Sequence, residues 1–240
     1  MGAQWKHSGR QENATKKGAI VGKLCKEIAV AAKLGGPDPT GNSRLRAALE
    51  DARKNSVTRD TIERAIKKGA GLTGESIVYE LVTYEGFTPH KVPVIVECLT
   101  DNKNRTAGDI RSIFRRGQLG SQGNVSWMFD RLGMIEGTLK TAGADIEAAA
   151  IEAGAQNVEL IENSESEENT TGARFFTDPT DLDAVNKALT AAGWTISKSE
   201  IGYQPKNGVD ISSDQKKDVE EFLAEIDDND DVHRIYVALT

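Results

Sequence analysis

Residue types that perform covalent or acid–base chemistry are sparse in this chain and are not spaced for catalysis. The three histidines, His7, His90 and His233, form no i, i+4 pair, and no cysteine lies at ligand spacing from them. The sequence contains no phosphate-binding P-loop, no G-x-S-x-G and no C-x-x-C. The acidic run 227–231 lacks the glycine and terminal glutamate of an EF-hand loop. We therefore predict that the protein is not an enzyme and binds no metal or cofactor.

Lysine and arginine are the residues whose distribution indicates a function. Residues 1–72 contain 15 Lys and Arg against 7 Asp and Glu, whereas residues 132–240 contain 8 against 23. The net charge of −7 over 240 residues therefore conceals a basic N-terminal part and an acidic C-terminal part. Clustered cations bind phosphates with release of counterions, although they also solvate helix faces with no ligand.

These cations, with one early aromatic residue, predict a nucleic-acid-binding surface that the acidic remainder confines to one face. Trp5 either stacks on a base or packs against the protein. The candidate nucleic-acid-binding residues are Trp5, Lys6, Arg10, Lys16, Lys17, Lys23, Lys26, Arg44, Arg46, Arg53, Lys54, Lys67, Lys68, Arg105, Arg111, Arg115 and Arg116.

The elements that position the first candidates are helical. Apolar residues at 20, 24 and 28 recur with helical spacing, and the Gly35-Gly36-Pro37 run ends that helix. Apolar stripes predict further helices over Ser43–Lys54 and Thr58–Lys68. Three short amphipathic helices together bury enough apolar surface for a small bundle, which we assign to residues 1–74.

The rest of the chain predicts two α+β domains. Strands over 77–84 and 92–99, a turn over 85–91, a helix over 105–116 and a strand over 125–129 give the order ββαβ. Residues 132–205 follow the βαββαβ order of a ferredoxin-like domain. The last helix and strand cannot fold alone, so we expect 206–240 to complete the sheet of 75–131, with 132–205 as an insertion. The predicted fold class is α+β: an N-terminal three-helix bundle plus two ferredoxin-like domains, one inserted in the other.

Neither a membrane protein nor a secreted disulfide scaffold fits the sequence. No apolar run approaches the about 20 residues of a membrane-spanning helix, and the N-terminus lacks the apolar core of a signal peptide. Two cysteines, Cys25 and Cys98, cannot form a disulfide framework and indicate a reducing compartment.

Several sequence runs resemble the YebC family over nearly the whole chain. The resemblance is carried by KEIAVAAKLGGPDP at 26–39, NSRLRAAL at 42–49, DTIERAIKKGAG at 60–71, ECLTDNKNRT at 97–106 and GNVSWMF at 123–129. It implies a helical first domain, two α+β domains and a cytoplasmic bacterial protein described as a probable DNA-binding transcriptional regulator. Mitochondrial relatives are translational activators, and bacterial members have been tied to stalled ribosomes.

Three functions stay open from the sequence. A DNA-binding transcriptional regulator is what the resemblance implies, yet the basic helices carry few Asn or Gln residues for reading bases. A ribosome-associated factor that contacts ribosomal RNA suits broad basic surfaces and glycine-rich loops. The third is an interaction scaffold whose acidic half binds a protein. We predict a nucleic-acid-binding regulator of gene expression, with DNA or RNA as target.

Overall fold

The structure is a computed structural model that describes residues 4–74, 79–161 and 170–239, with only the backbone described for residues 4–16 and Ser43. The helices are α1 (Gln4–Gly35), α2 (Ser43–Lys54), α3 (Arg59–Gly69), α4 (Lys103–Ile113), α5 (Ile146–Ala153), α6 (Leu182–Ala191) and α7 (Ser213–Asp227). The strands are β1 (Glu80–Phe87), β2 (Pro93–Thr100), β3 (Gln118–Leu119), β4 (Phe129–Leu139), β5 (Asn157–Ile161), β6 (Thr171–Thr177), β7 (Thr195–Pro205) and β8 (Val232–Val237).

The chain divides into two compact units, one of Met1–Phe129 with Pro205–Thr240 and one of Asp130–Gln204. The first unit contains both the N-terminal helices and the sheet built from β1, β2, β3 and β8. Our division into three domains, which separates 1–74 from 75–131 with 206–240, stays a prediction.

The bundle is held together by an apolar seam between α1, α2 and α3. Ile28, Leu45 and Ala52 are fully buried in it. Asn42 caps α2 by accepting a hydrogen bond from the Leu45 N–H, and its amide donates to the Ala31 and Gly36 carbonyls. One side chain therefore begins α2 and fixes the end of α1 against it.

The first sheet is antiparallel with the order β3-β1-β2-β8, so the last strand of the chain pairs with β2. Helices α4 and α7 pack on one face, where Val94 and Val96 meet Ile110 and where the rings of Phe114 and Phe222 stand edge to face at 5.3 Å. This confirms that the C-terminal segment returns to complete the sheet. Because both faces of β2 are buried, its continuous apolar run is explained.

The second unit is a four-stranded sheet of order β5-β6-β4-β7 with α5 and α6 against one face. Pairing of β4 and β5 with β6 is antiparallel. Ile135, Phe175 and Leu189 are fully buried, and Trp194 contacts the Phe175 ring edge to face. The order is that of a ferredoxin-like sheet, as the βαββαβ pattern predicts. The predicted α+β fold class is thus confirmed.

Two local predictions that involve Glu85 were wrong. The predicted turn 85–91 starts only after Phe87, since Glu85 pairs with Ile95 in the β1–β2 ladder. The predicted strand 125–129 is a 3₁₀ turn, Ser126–Met128, with β4 starting at Phe129. The Glu85 carboxylate accepts hydrogen bonds from the backbone N–H groups of Val125 and Ser126, which are then unavailable to a strand partner.

Candidate nucleic-acid interface

The first four candidate residues lie on the N-terminal half of α1. Trp5, Lys6, Arg10 and Lys16 are helical, and their side chains lie outside the described part of the structure. Their proposed role therefore rests on the sequence alone.

Two further lysines of α1 point at an acidic turn of the same unit. The Lys23 ammonium lies 2.9 Å from Asp227 Oδ1, and it also contacts the Asp227 carbonyl. The Lys26 ammonium lies 2.6 Å from Asp231 Oδ1 and donates to the Asp230 carbonyl at 2.9 Å. The turn between α7 and β8 thus neutralises the inner side of α1 where the bundle meets the sheet.

Asp231 is the centre of this junction. Its side chain is only 4% exposed, and it receives Arg105 at 2.8 Å and the Thr106 hydroxyl at 2.8 Å besides Lys26. Burial alone would raise the pKa of Asp231, but these hydrogen bonds outweigh it and lower the pKa to about 2. Arg105 and Lys26 come from α4 and α1, so one ionised carboxylate joins the bundle to the sheet domain.

A second buried carboxylate joins α1, α2 and β8. Glu27 receives Arg44 through two hydrogen bonds, Nε to Oε1 at 2.6 Å and Nη2 to Oε2 at 3.1 Å. His233 Nε2 lies 3.0 Å from Glu27 Oε2. Burial raises the pKa of Glu27, but His233 and Arg44 more than offset this and hold the pKa well below its ordinary value.

The ring of Tyr79 is contacted by lysines from two of the basic helices. The ammonium groups of Lys26 and Lys68 lie 5.9 and 5.7 Å from the centre of its ring, from α1 and α3 respectively. Lys68 is half-buried there. Such cation–π contacts direct both lysines inward.

The remaining candidates lie on the outside of the helices. Arg46 is exposed and donates weakly to loop carbonyls, Lys54 lies 3.8 Å from Asp51, and Arg116 pairs with Glu225 at 3.1 Å. Five of the exposed candidate cations form no ion pair with any residue that the structure describes: Lys17, Arg53, Lys67, Arg111 and Arg115. The predicted basic set therefore separates into inner residues that join elements and outer residues that face solvent.

Other kinds of site are not found among the described residues. In residues 4–74, 79–161 and 170–239, no group of three or more His, Cys, Asp or Glu side chains is placed to hold a metal ion. Over the same ranges, no helix has the length and apolar character to cross a membrane. Cys25 and Cys98 are both free thiols, and burial raises the pKa of Cys98 to about 12.

The family described as TACO1/YebC protein N-terminal domain matches residues 3–72, and TACO1/YebC second and third domain matches residues 79–239. The chain belongs to the TACO1/YebC family. The resemblance seen in the sequence is thereby confirmed.

Relatives in the TACO1/YebC family align along the whole chain. A Polaromonas protein is 54% identical and a Bdellovibrio bacteriovorus protein 52% identical, each covering 100% of this chain and at least 99% of its own length. Both are named probable transcriptional regulatory proteins. A crystal structure of a conserved hypothetical protein from Aquifex aeolicus has a TM-score of 0.76 at 38% identity, covering 94% of this chain and 90% of that one. The names of the Polaromonas and Bdellovibrio relatives indicate a regulatory role, and the α+β fold is shared with the Aquifex aeolicus protein.

Sequence reasoning missed the acidic members of the junction in this TACO1/YebC chain. Asp231 belongs to the acidic run 227–231, which was tested from the sequence only as a calcium-binding loop, and Glu27 was not singled out. Glu27 did carry a signal, since it directly precedes the apolar Ile28 on the inner side of the helix. Asp231 carried none, because its cations lie over 100 residues away in the chain.

Proposed function

We propose that the protein is a nucleic-acid-binding regulator of gene expression that contacts phosphates through the outer cations of its first unit. The observation that carries the proposal is the exposed pair Arg111, on α4, and Arg115, in the turn after α4, which has no ion-pair partner among the described residues. Inner cations such as Lys26 are already neutralised. Since an exposed arginine pair gains little fold stability, phosphate binding is its best use. The regulator names of the relatives support the same function, and we place it in the cytoplasm.

The test is a charge-reversal variant whose affinity for nucleic acid is measured over a series of salt concentrations. In Arg111→Glu/Arg115→Glu we expect about 10- to 100-fold weaker binding to both DNA and RNA, and a log–log salt slope shallower by about 2. Fluorescence anisotropy of labelled duplex DNA and structured RNA over a salt series measures both quantities.

The control, matched in charge change, reverses two exposed lysines of the acidic second unit, of which Lys187 pairs with Asp183 at 2.6 Å. Lys140→Glu/Lys187→Glu changes the net charge by the same amount. We expect near-unchanged binding in this control. Equal losses of affinity in both variants would mean that only net charge matters. No loss of affinity in either variant would mean that the outer arginines only interact with solvent.

A second candidate is an RNA-contacting translation factor associated with the ribosome. The observation that favours it is an exposed aromatic ring, Trp127, which suits unpaired RNA bases better than the closed stack of duplex DNA. Sedimentation of the tagged protein through a sucrose gradient, with and without RNase, separates the candidates. RNase-sensitive migration with ribosomes favours translation, whereas crosslinks at promoters favour transcription. If the protein neither migrates with ribosomes nor crosslinks to DNA, the result would favour a protein scaffold that uses the acidic half.

A further inference from the structure

Glu85 organises the loop that follows β3. The Gly120 N–H donates to the Glu85 carbonyl at 2.8 Å, and the carboxylate accepts from the N–H groups of Gly123, Val125 and Ser126, each at 2.9 Å. Glu85 is 6% exposed. Burial raises its pKa, but the backbone donors outweigh this and lower the pKa below its ordinary value. An ionised, buried carboxylate therefore fixes the backbone of a surface loop.

The same loop holds an indole ring in solvent. Val125 and Phe129 are buried on either side of Trp127, yet Trp127 is 65% exposed. Its Nε1–H donates to the Asn124 carbonyl at 3.1 Å, so the loop satisfies the polar atom and orients the ring. Among the described residues it is the only exposed aromatic side chain. The ring is thus positioned but contributes little to the core.

The surroundings of the ring indicate what it binds. Ser121, Gln122 and Asn124 are exposed and carry neutral groups that donate and accept hydrogen bonds. A flat π-face beside such groups matches a nucleobase, whose faces stack and whose edges hydrogen-bond. In a duplex both faces of a base are already stacked, so the matching ligand is an unpaired base.

We infer that Trp127 and the loop 120–128 form a stacking site for an unpaired base of single-stranded nucleic acid. The inference rests on the proposed function and names the form of nucleic acid that it binds. A protein partner is less well matched, because the other exposed residues of the loop, at positions 121–124, are glycine or polar and offer no apolar surround of the kind that binding hot spots have.

The experiment compares Trp127→Ala and Trp127→Phe with the unchanged protein. We expect Trp127→Ala to bind single-stranded oligo(U) or oligo(dT) roughly tenfold more weakly, within the about 5- to 150-fold worth of one stacked base. Trp127→Phe restores part of that affinity. Binding of a duplex changes little, and the salt slope is unchanged, because stacking releases no counterions.

Fluorescence gives a second readout that folding defects do not imitate. Stacking of a base on Trp127 quenches its emission, so we expect oligo(U) to quench the unchanged protein and to quench Trp127→Phe much less. Trp5→Phe is the common background for this comparison, because Trp5 also emits. Trp194, which is buried, then keeps the remaining emission as an internal reference. Thermal melts confirm that both variants fold, as expected for an exposed position.

The outcomes of the two hypotheses are separable. If Trp127→Ala binds single strands unchanged while Arg111→Glu/Arg115→Glu binds them weakly, the stacking site is refuted and the proposed function stands. If the unchanged protein binds neither single strands nor duplexes, both fail. A benzophenone side chain at position 127 that crosslinks to a protein and to no nucleic acid would also overturn the stacking site.

Discussion

At the scale of residues, the junction depends on one carboxylate. Asp231 is nearly fully buried and joins Lys26 of α1 to Arg105 of α4. A buried ion pair is not in itself a large gain in stability, because desolvation offsets the attraction between charges. Removing one member is costly, however, since its partners are left without compensation in a site closed to water.

Asp231→Asn should therefore destabilise the protein by about 3–5 kcal/mol. The amide keeps the size of the side chain but leaves Lys26 and Arg105 without a countercharge. Urea unfolding followed by circular dichroism measures the change. The control is Asp228→Asn in the same turn, which is exposed and should change the free energy of unfolding by less than about 0.5 kcal/mol.

At the scale of elements, the contact between α1 and α3 requires a residue without a side chain, Gly69. Gly69 ends α3, and a Cβ added there would lie 2.1 Å from the Ala29 carbonyl oxygen on α1. Backbone of one helix thus touches backbone of the other, which only glycine permits at this separation.

Gly69→Ala should push the helices apart and destabilise the protein by about 1–3 kcal/mol. The control is Gly22→Ala on α1, where an added Cβ meets nothing within 4 Å. Because alanine favours the helix interior, Gly22→Ala should be neutral or stabilising by up to about 1 kcal/mol. Thermal unfolding of both variants decides: equal melting temperatures would contradict the close-packing argument.

The elements also show what the sequence can predict. Helix α2 was predicted with its observed bounds because its apolar stripe is a local signal. The short strand β3 was missed because its two residues carry no pattern of their own and pair only through Gly86 and Phe87 of β1. The turn at Ser126–Met128 depends on Glu85, about 40 residues earlier, which no local window contains.

In the candidate site, too, features that depend on local sequence could be predicted, and features that depend on distant residues could not. Charge along the chain predicts which helices are basic, and Arg111 and Arg115 are exposed beside the buried Ile110 and Phe114 as predicted, although α4 ends at Ile113, before Arg115. It does not predict which cations are neutralised, since Lys23 and Lys26 meet their acidic partners from about 200 residues away.

At the scale of the whole molecule, the junction should respond to acid. Asp231 and Glu27 both have pKa values lowered by folding, so their contribution is complete above their unfolded pKa values of about 4. It is lost as the pH falls through the folded values, near 2 for Asp231. We expect the free energy of unfolding to fall by about 2 kcal/mol from Asp231 alone between pH 4 and 2.

Urea unfolding at a series of pH values measures this decline. Asp231→Asn is the comparison, because an amide has no proton to take up. Its decline over the same range should be shallower by the Asp231 contribution. Parallel curves for the two proteins would mean that Asp231 titrates alike in the folded and unfolded states.

The pairing of β8 with β2 has a consequence for synthesis. The strand that completes the first sheet, and the carboxylate that neutralises Lys26, leave the ribosome after every other described helix and strand of the first unit. Such a long sequence separation between β2 and β8 raises the contact order and slows folding of the first unit. The strands of the inserted unit 130–204 pair with one another and are all synthesised before β8. The nascent chain therefore carries a basic bundle that lacks its acidic countercharge until residues 227–231 have been synthesised.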